Sequence, residues 1–178
     1  IDYGYICNVL AGSGSGKTSA INQCAAYWMK DLDLNIGVLS LEAESGEWGE
    51  NLLSHYLGKK IARIRDRDER MKFVGSEEAE QATHDLFKRE DGTSRLYLLD
   101  DRGDYSKLQD QVEEMIIAYD CKIIIIDVVS DIFGGKTLEE VDLWMSWEKR
   151  IVKQYSCIIF NISHVRKSSS SEKSASSG

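Results

Sequence analysis

The stretch "NVLAGSGSGKTSA", residues 8–20, decides how the rest of the chain is read. It joins the apolar run Tyr5-Ile6-Cys7-Asn8-Val9-Leu10 to a helix-like continuation through glycines, a lysine and a threonine. Ala11-Gly12-Ser13-Gly14-Ser15-Gly16-Lys17-Thr18, followed by Ser19, has the form of a phosphate-binding loop, with alanine first where glycine is also common. Each residue type suits that task. Backbone N–H groups that turn inward around a phosphate need conformations glycine tolerates. The helix that follows aims its free N–H groups and its dipole at the anion. Lys17 can reach β- and γ-phosphates, and Thr18 can offer its hydroxyl to Mg²⁺. A glycine-rich turn that merely joins strand to helix would match the pattern by chance in roughly one chain of this length in a hundred.

A phosphate loop with Mg²⁺ needs a second carboxylate, and "KIIIID" (122–127) supplies Asp127 at the end of an apolar strand. A general base is sought next. Asp127 is followed by Val128 and Val129, so no glutamate stands beside it. "GVLSLEAES" (37–45) instead places Glu42 at a strand end, where a carboxylate can orient a water toward a γ-phosphate. Glu44, two residues into the turn, is the second choice.

Outward from these motifs the pattern alternates. Strand-like runs are "YICNVL", "IGVLSL", "RLYLLD", "KIIIID" and "CIIFNIS". Helical periodicity places Ile21, Ala25, Trp28 and Met29 on one face, and "EWGENLLSHYL" and "EEAEQATHDLFKRE" are two further helices. Leu108, Val112, Met115, Ile116 and Tyr119 mark a helix over 105–119, and Val141, Trp144, Met145, Ile151, Val152 and Tyr155 another. The segment between Gly58 and Ser76 reads as a charged connector whose "KKIARIRDRDER" is a salt-bridged surface. Strands alternating with crossover helices predict an α/β fold, a mostly parallel sheet with helices on both faces.

Composition sets bounds on function. The chain has 178 residues, 42 % hydrophobic and 29 % charged, the balance of one soluble globular domain. No apolar run spans a bilayer, no charged leader suggests a signal peptide, and the abrupt start in a strand suggests a piece of a longer protein. Cys7, Cys24, Cys121 and Cys157 lie too far apart for a zinc site and read as reduced core residues of a cytoplasmic protein. A net charge of −8 excludes a general polyanion binder, so any nucleic-acid contact must be local. His55 and His84 fall in surface-like helical patterns.

These motifs together resemble the RecA-like P-loop NTPases, and within them the ring-shaped replicative DNA helicases of the DnaB type. The similarity is greatest to the helicase half of phage primase–helicases and their mitochondrial relative Twinkle. "GSGKTSAINQCAAYWMK", "GVLSLEAES", "AYDCKIIIIDVVSDI" and "IIFNISHVRK" follow in that family's order and spacing. The resemblance implies an ATP-dependent helicase motor (or one using another NTP or dNTP) with Mg²⁺ held by Thr18 and Asp127. It implies Glu42 as base, Lys17 on the phosphates, and His164 as a sensor of the γ-phosphate. It further implies a hexameric ring on single-stranded DNA in a bacterial or phage-infected cell, with a primase or polymerase as further partner. An arginine finger and further sheet strands are expected beyond Gly178, so this chain alone is expected to bind ATP·Mg²⁺ with little turnover.

Two loops would face the DNA: "SDIFGGKTLEE" after Asp127, and the stretch after His164 with Arg166, Lys167 and Lys173 among serines. The expected division is a partial RecA-like core over 1–165 and a flexible basic, serine-rich segment over 166–178. A solvated tail is the plain alternative for that segment. Alternatives for the whole chain are a RecA- or KaiC-type recombinase or signalling ATPase and, less fitting, a small-molecule kinase with an arginine-rich lid.

Overall fold

The computed structural model describes residues 2–12, 14–41, 45–61, 64–99 and 107–164. Five strands, β1 (Tyr5–Ala11), β2 (Asn35–Ser40), β3 (Leu96–Leu99), β4 (Cys121–Asp127) and β5 (Ile158–His164), form one sheet in the order β1-β5-β4-β2-β3. Every pairing is parallel. Among the described residues seven helices accompany them: α1 (Lys17–Lys30), α2 (Ser45–Leu57), α3 (Arg67–Val74), α4 (Glu77–Phe87), α5 (Leu108–Ala118), α6 (Val129–Ile132) and α7 (Leu138–Gln154). The five expected strands are all present.

Strand order explains why both faces are covered. The chain moves from β1 over two positions to β2 and on to β3, then turns back through β4 to β5. Crossovers keep one hand, so reversing direction puts the later helices on the opposite face. α1, α2 and α4 accordingly pack with Ile36, Val38, Ile123, Ile125 and Ile162. α5, α6 and α7 pack with Leu39, Ile124, Ile126 and Ile159. β4, between β5 and β2, sends alternate isoleucines to the two cores, each burial contributing about 1.5–3 kcal/mol. Ile21, Ala25, Trp28 and Met29 of α1 are buried as the periodicity requires.

The amino-terminal edge of the sheet is built from tight helix-to-strand turns. Asp33, Asp120 and Ser156 take left-handed backbone (φ 51°, 50° and 51°) one or two residues before β2, β4 and β5. Asp33 also accepts from Arg89 Nε at 2.9 Å and Arg95 Nε at 2.7 Å. Those guanidiniums hold its carboxyl below its ordinary value of 3.8.

Four expectations are corrected. The charged connector contains α3, which buries none of its residues and so shows no apolar stripe. Its ends specify it: the Asp66 side chain accepts from Glu69 N, acids fill the first turn, and Lys72 sits in the last. The connector's cations pair outside it, Lys59 with Glu78 on α4 and Arg70 with Glu50 on α2. Cys24 is exposed and Cys7 half-buried; only Cys121 and Cys157 are core residues. Cysteine's general preference for burial gave way to helical position, since Cys24 flanks the α1 stripe while Asn22, on the other flank, is buried. Of the helix expected over 105–119, residues 105 and 106 lie outside the described residues, Leu108–Ala118 is helical, and Tyr119 is not a core member but the exposed cap, stacked on Tyr97 at 4.4 Å. Finally, the expected loop after Asp127 is largely helical. Val129 and Ile132, the first and last residues of α6, are buried, and a Thr137–Glu140 capping box starts α7, leaving 133–137 between them. His55 and His84 are exposed, as expected. Among the described residues no helix is long and apolar enough to cross a membrane.

Candidate functional site

Because every strand runs the same way, all carboxyl ends share one edge. In open parallel sheets that edge, where neighbouring connections leave for opposite faces, is where ligands bind. Here β2 leads to α2 on one face and its neighbour β4 leads to α6 on the other. β1 runs alongside β5 so that Ala11 pairs with His164, and β4 runs alongside β2 so that Asp127 pairs with Ser40.

The loop after β1 has the backbone its glycines predict. Gly14 and Gly16 take φ of 72° and 85°, a conformation that would strain other residues. A Cβ built on either would meet nothing within 4 Å, so the space beside the loop is open. Gly16 is the N-cap of α1 and brings no side chain to its first turn, leaving those N–H groups to another acceptor. α5 and α6 also lack side-chain caps, so that feature alone does not single out α1. What does is the pair of residues that follows.

Lys17 is only 8 % exposed. Its ammonium donates to Ala11 O at 3.2 Å and Gly12 O at 3.1 Å, and stands 3.0 Å from His164 Nδ1. An ammonium can only donate, so Nδ1 is the acceptor and His164 is assigned as the neutral tautomer protonated at Nε2. Thr18 donates its hydroxyl to Asp127 Oδ2 at 3.3 Å, across 109 residues of sequence. Trp48 Nε1 donates to the same oxygen at 3.4 Å. Asp127 is buried, 3 % exposed.

The structure therefore brings together Lys17, Thr18, Asp127 and His164, with Ala11, Gly12, Gly14 and Gly16 beneath them. Ser19 is exposed and instead lines a cavity of about 370 Å³ with Asn51, Ser54, His55, Lys59 and Lys60. Ser13, Glu42, Glu44, Arg166, Lys167 and Lys173 lie outside the described residues. β2 ends at Ser40, two positions before Glu42, and Leu41 N donates to Asp127 O at 2.8 Å. Trp48 is the member that sequence reasoning missed. Its place in an amphipathic helix signals burial, but nothing local signals its partner.

The donor set fits a nucleotide with Mg²⁺. A hydroxyl and a carboxylate are hard oxygen ligands of the kind Mg²⁺ takes, one or two at a time, beside phosphate oxygens. Among the described residues no group of three His, Cys, Asp or Glu is gathered as a self-sufficient metal site. The other face of β5 carries a different polar group. Asn161 Nδ2 donates to Glu148 Oε2 at 2.9 Å and Trp144 Nε1 to Glu148 Oε1 at 2.8 Å. Glu148 is fully buried, and burial pushes its carboxyl above its ordinary value of 4.5. Asn161 and His164 differ by an odd number of residues, so Glu148 lies under the opposite face from Lys17.

No protein-family model matches the chain, and no curated protein matches it in sequence.

Proposed function

We propose that the chain is the RecA-like P-loop NTPase core of a DnaB-type ring helicase. In this reading it binds ATP or another nucleoside triphosphate with Mg²⁺ and couples hydrolysis to movement along single-stranded DNA. The observation that carries the nucleotide half is the meeting of Lys17, Thr18, Asp127 and His164 at the carboxyl edge, over a loop opened by Gly14 and Gly16. What supports the helicase half is the order and spacing of the four motifs, and histidine rather than glutamine at position 164.

Bound Mg²⁺ would neutralise charge on the β- and γ-phosphate oxygens. The chain's own residues do the rest. Lys17 exchanges the neutral carbonyls of Ala11 and Gly12 for charged phosphate oxygens. The Thr18 hydroxyl and the Asp127 carboxylate, which meet in this structure, are the residues that would hold the metal. Glu42 orients the attacking water. When Lys17 swings to phosphate, His164 loses its ammonium partner, which makes the ring's position sensitive to what Lys17 holds. Arg166, Lys167 and Lys173 meet the DNA backbone.

The test is nucleotide binding and hydrolysis with and without single-stranded DNA, beside Lys17→Ala and Glu42→Gln. DNA-stimulated hydrolysis lost in both variants, with ATP binding kept in Glu42→Gln, is the expected outcome. Hydrolysis indifferent to DNA would move the reading to a signalling or metabolic ATPase. Reversing the charges of Arg166 and Lys167 should weaken single-strand binding and flatten its salt slope. An unchanged slope would remove those residues from the DNA path.

A further inference from the structure

Asp127 sits between two helix starts. Thr18, in the first turn of α1, and Trp48, in the first turn of α2, both donate to its Oδ2. Trp48 is fully buried. Burial alone asks only that an indole N–H find some acceptor. Trp144 and Trp147 find theirs in Glu148 and Glu113, and Trp28 packs against Phe160 with ring centroids 5.0 Å apart. Trp48 is the tryptophan directed at a residue of the candidate site.

The two donors on Asp127 are not equivalent. A hydroxyl carries lone pairs and can turn to a cation, whereas an indole N–H has none and can only donate. Trp48 therefore keeps its hold on the carboxylate whatever Thr18 does. We propose that Trp48 is a positioning residue for the metal. Its N–H fixes the orientation of the Asp127 carboxylate for Mg²⁺ and links that carboxylate to α2, the helix that follows Glu42. Donors behind a metal's ligands commonly act this way. The inference rests on the nucleotide·Mg²⁺ reading above.

The test titrates mant-ADP into the full chain by fluorescence anisotropy, in EDTA and over a range of Mg²⁺ concentrations, for wild type and Trp48→Phe. The Mg²⁺ concentration giving half of the metal-dependent gain should rise about ten- to a hundredfold in the variant, while affinity in EDTA stays within about twofold. Equal Mg²⁺ half-points in the two proteins would overturn the inference and leave the nucleotide reading standing. Wild type that binds no mant-ADP would overturn both. Trp48→Phe also removes ring volume, so the titration is repeated with benzothienylalanine at position 48, which keeps the ring shape and replaces N–H by sulfur. That isostere should reproduce the loss of Mg²⁺ affinity. If it behaves as wild type, packing and not the N–H sets the metal site, and the proposal fails.

Discussion

Replacing Lys17 by methionine separates a lysine that binds phosphate from one that merely straps the loop. The side chain keeps nearly its length and loses the ammonium. In the resting protein Nζ has three acceptors within 3.2 Å, and Lys17 as a whole is 8 % exposed. Hydrogen bonds from a charged donor contribute about 1.5–3 kcal/mol each, while burying an ammonium costs several kcal/mol. The two terms nearly cancel, so Lys17→Met should change stability by no more than about 1 kcal/mol, or about 2–4 °C in Tm. Nucleotide binding has no such cancellation, because the ammonium trades neutral carbonyl and imidazole acceptors for charged phosphate oxygens. A net loss of about 3 kcal/mol corresponds to about a hundredfold weaker affinity. Differential scanning fluorimetry and mant-ADP anisotropy on the same preparations measure both. A drop in Tm of more than about 8 °C with affinity within about threefold would refute the reasoning. Lys17 would then be a strap across Ala11, Gly12 and His164.

Other consequences follow from groups away from that edge. Glu148 has its carboxyl raised above 4.5 by burial, so the folded state binds a proton more readily than the unfolded one. Its contribution to stability is full below that value and declines as pH rises through the raised folded value. Glu148→Gln should flatten that decline in denaturant titrations between acidic and alkaline pH; parallel curves for both proteins would count against it. Burial pushes the Cys121 thiol up to about 12 and the Cys157 thiol up to about 11, while Cys24 is exposed. Iodoacetamide followed by peptide mass spectrometry should modify Cys24 in the native protein and reach Cys121 and Cys157 only after unfolding. A Cβ at Gly37 would lie 2.7 Å from Met115 Sδ and 2.8 Å from Ile124 Cδ1. Gly37→Val should therefore cost about 1–3 kcal/mol in urea unfolding, and a neutral result would mean that the Met115 and Ile124 side chains give way to it.

Much of the site could be read before any fold was known, because its signals are local. Lys17 and Thr18 are marked by the glycines before them, and Asp127 and His164 by the apolar runs they terminate. Parallel alternation alone puts such strand ends on one edge, even without the order β1-β5-β4-β2-β3. Trp48 was invisible for the opposite reason: its partner is 79 residues away. The sequence pattern encodes which side of a helix is buried, not which polar atom waits there. α3 shows the same limit in another form. A helix that buries nothing leaves no period to detect, and only its capping Asp66 announces it. Cys24 shows that residue type is a weaker guide than angular position on a helix.

β1 is also a mechanical part. Among the described residues it is hydrogen-bonded on one side only, to β5, through the seven pairs from Tyr5↔Ile158 to Ala11↔His164. The strand that delivers Lys17 is thus moored by a single row of bonds, and that row ends on the histidine the lysine touches. In a parallel border strand alternate amides point toward the neighbour and away from it. Deuterium should then enter β1 in an odd–even stripe, fast at outward amides and slow at inward ones. If the row unzips, loop and histidine part company together while the isoleucine ladder of β4 stays shut. The lifetime of the site would then be set by its least tethered strand, not by the melting of its core.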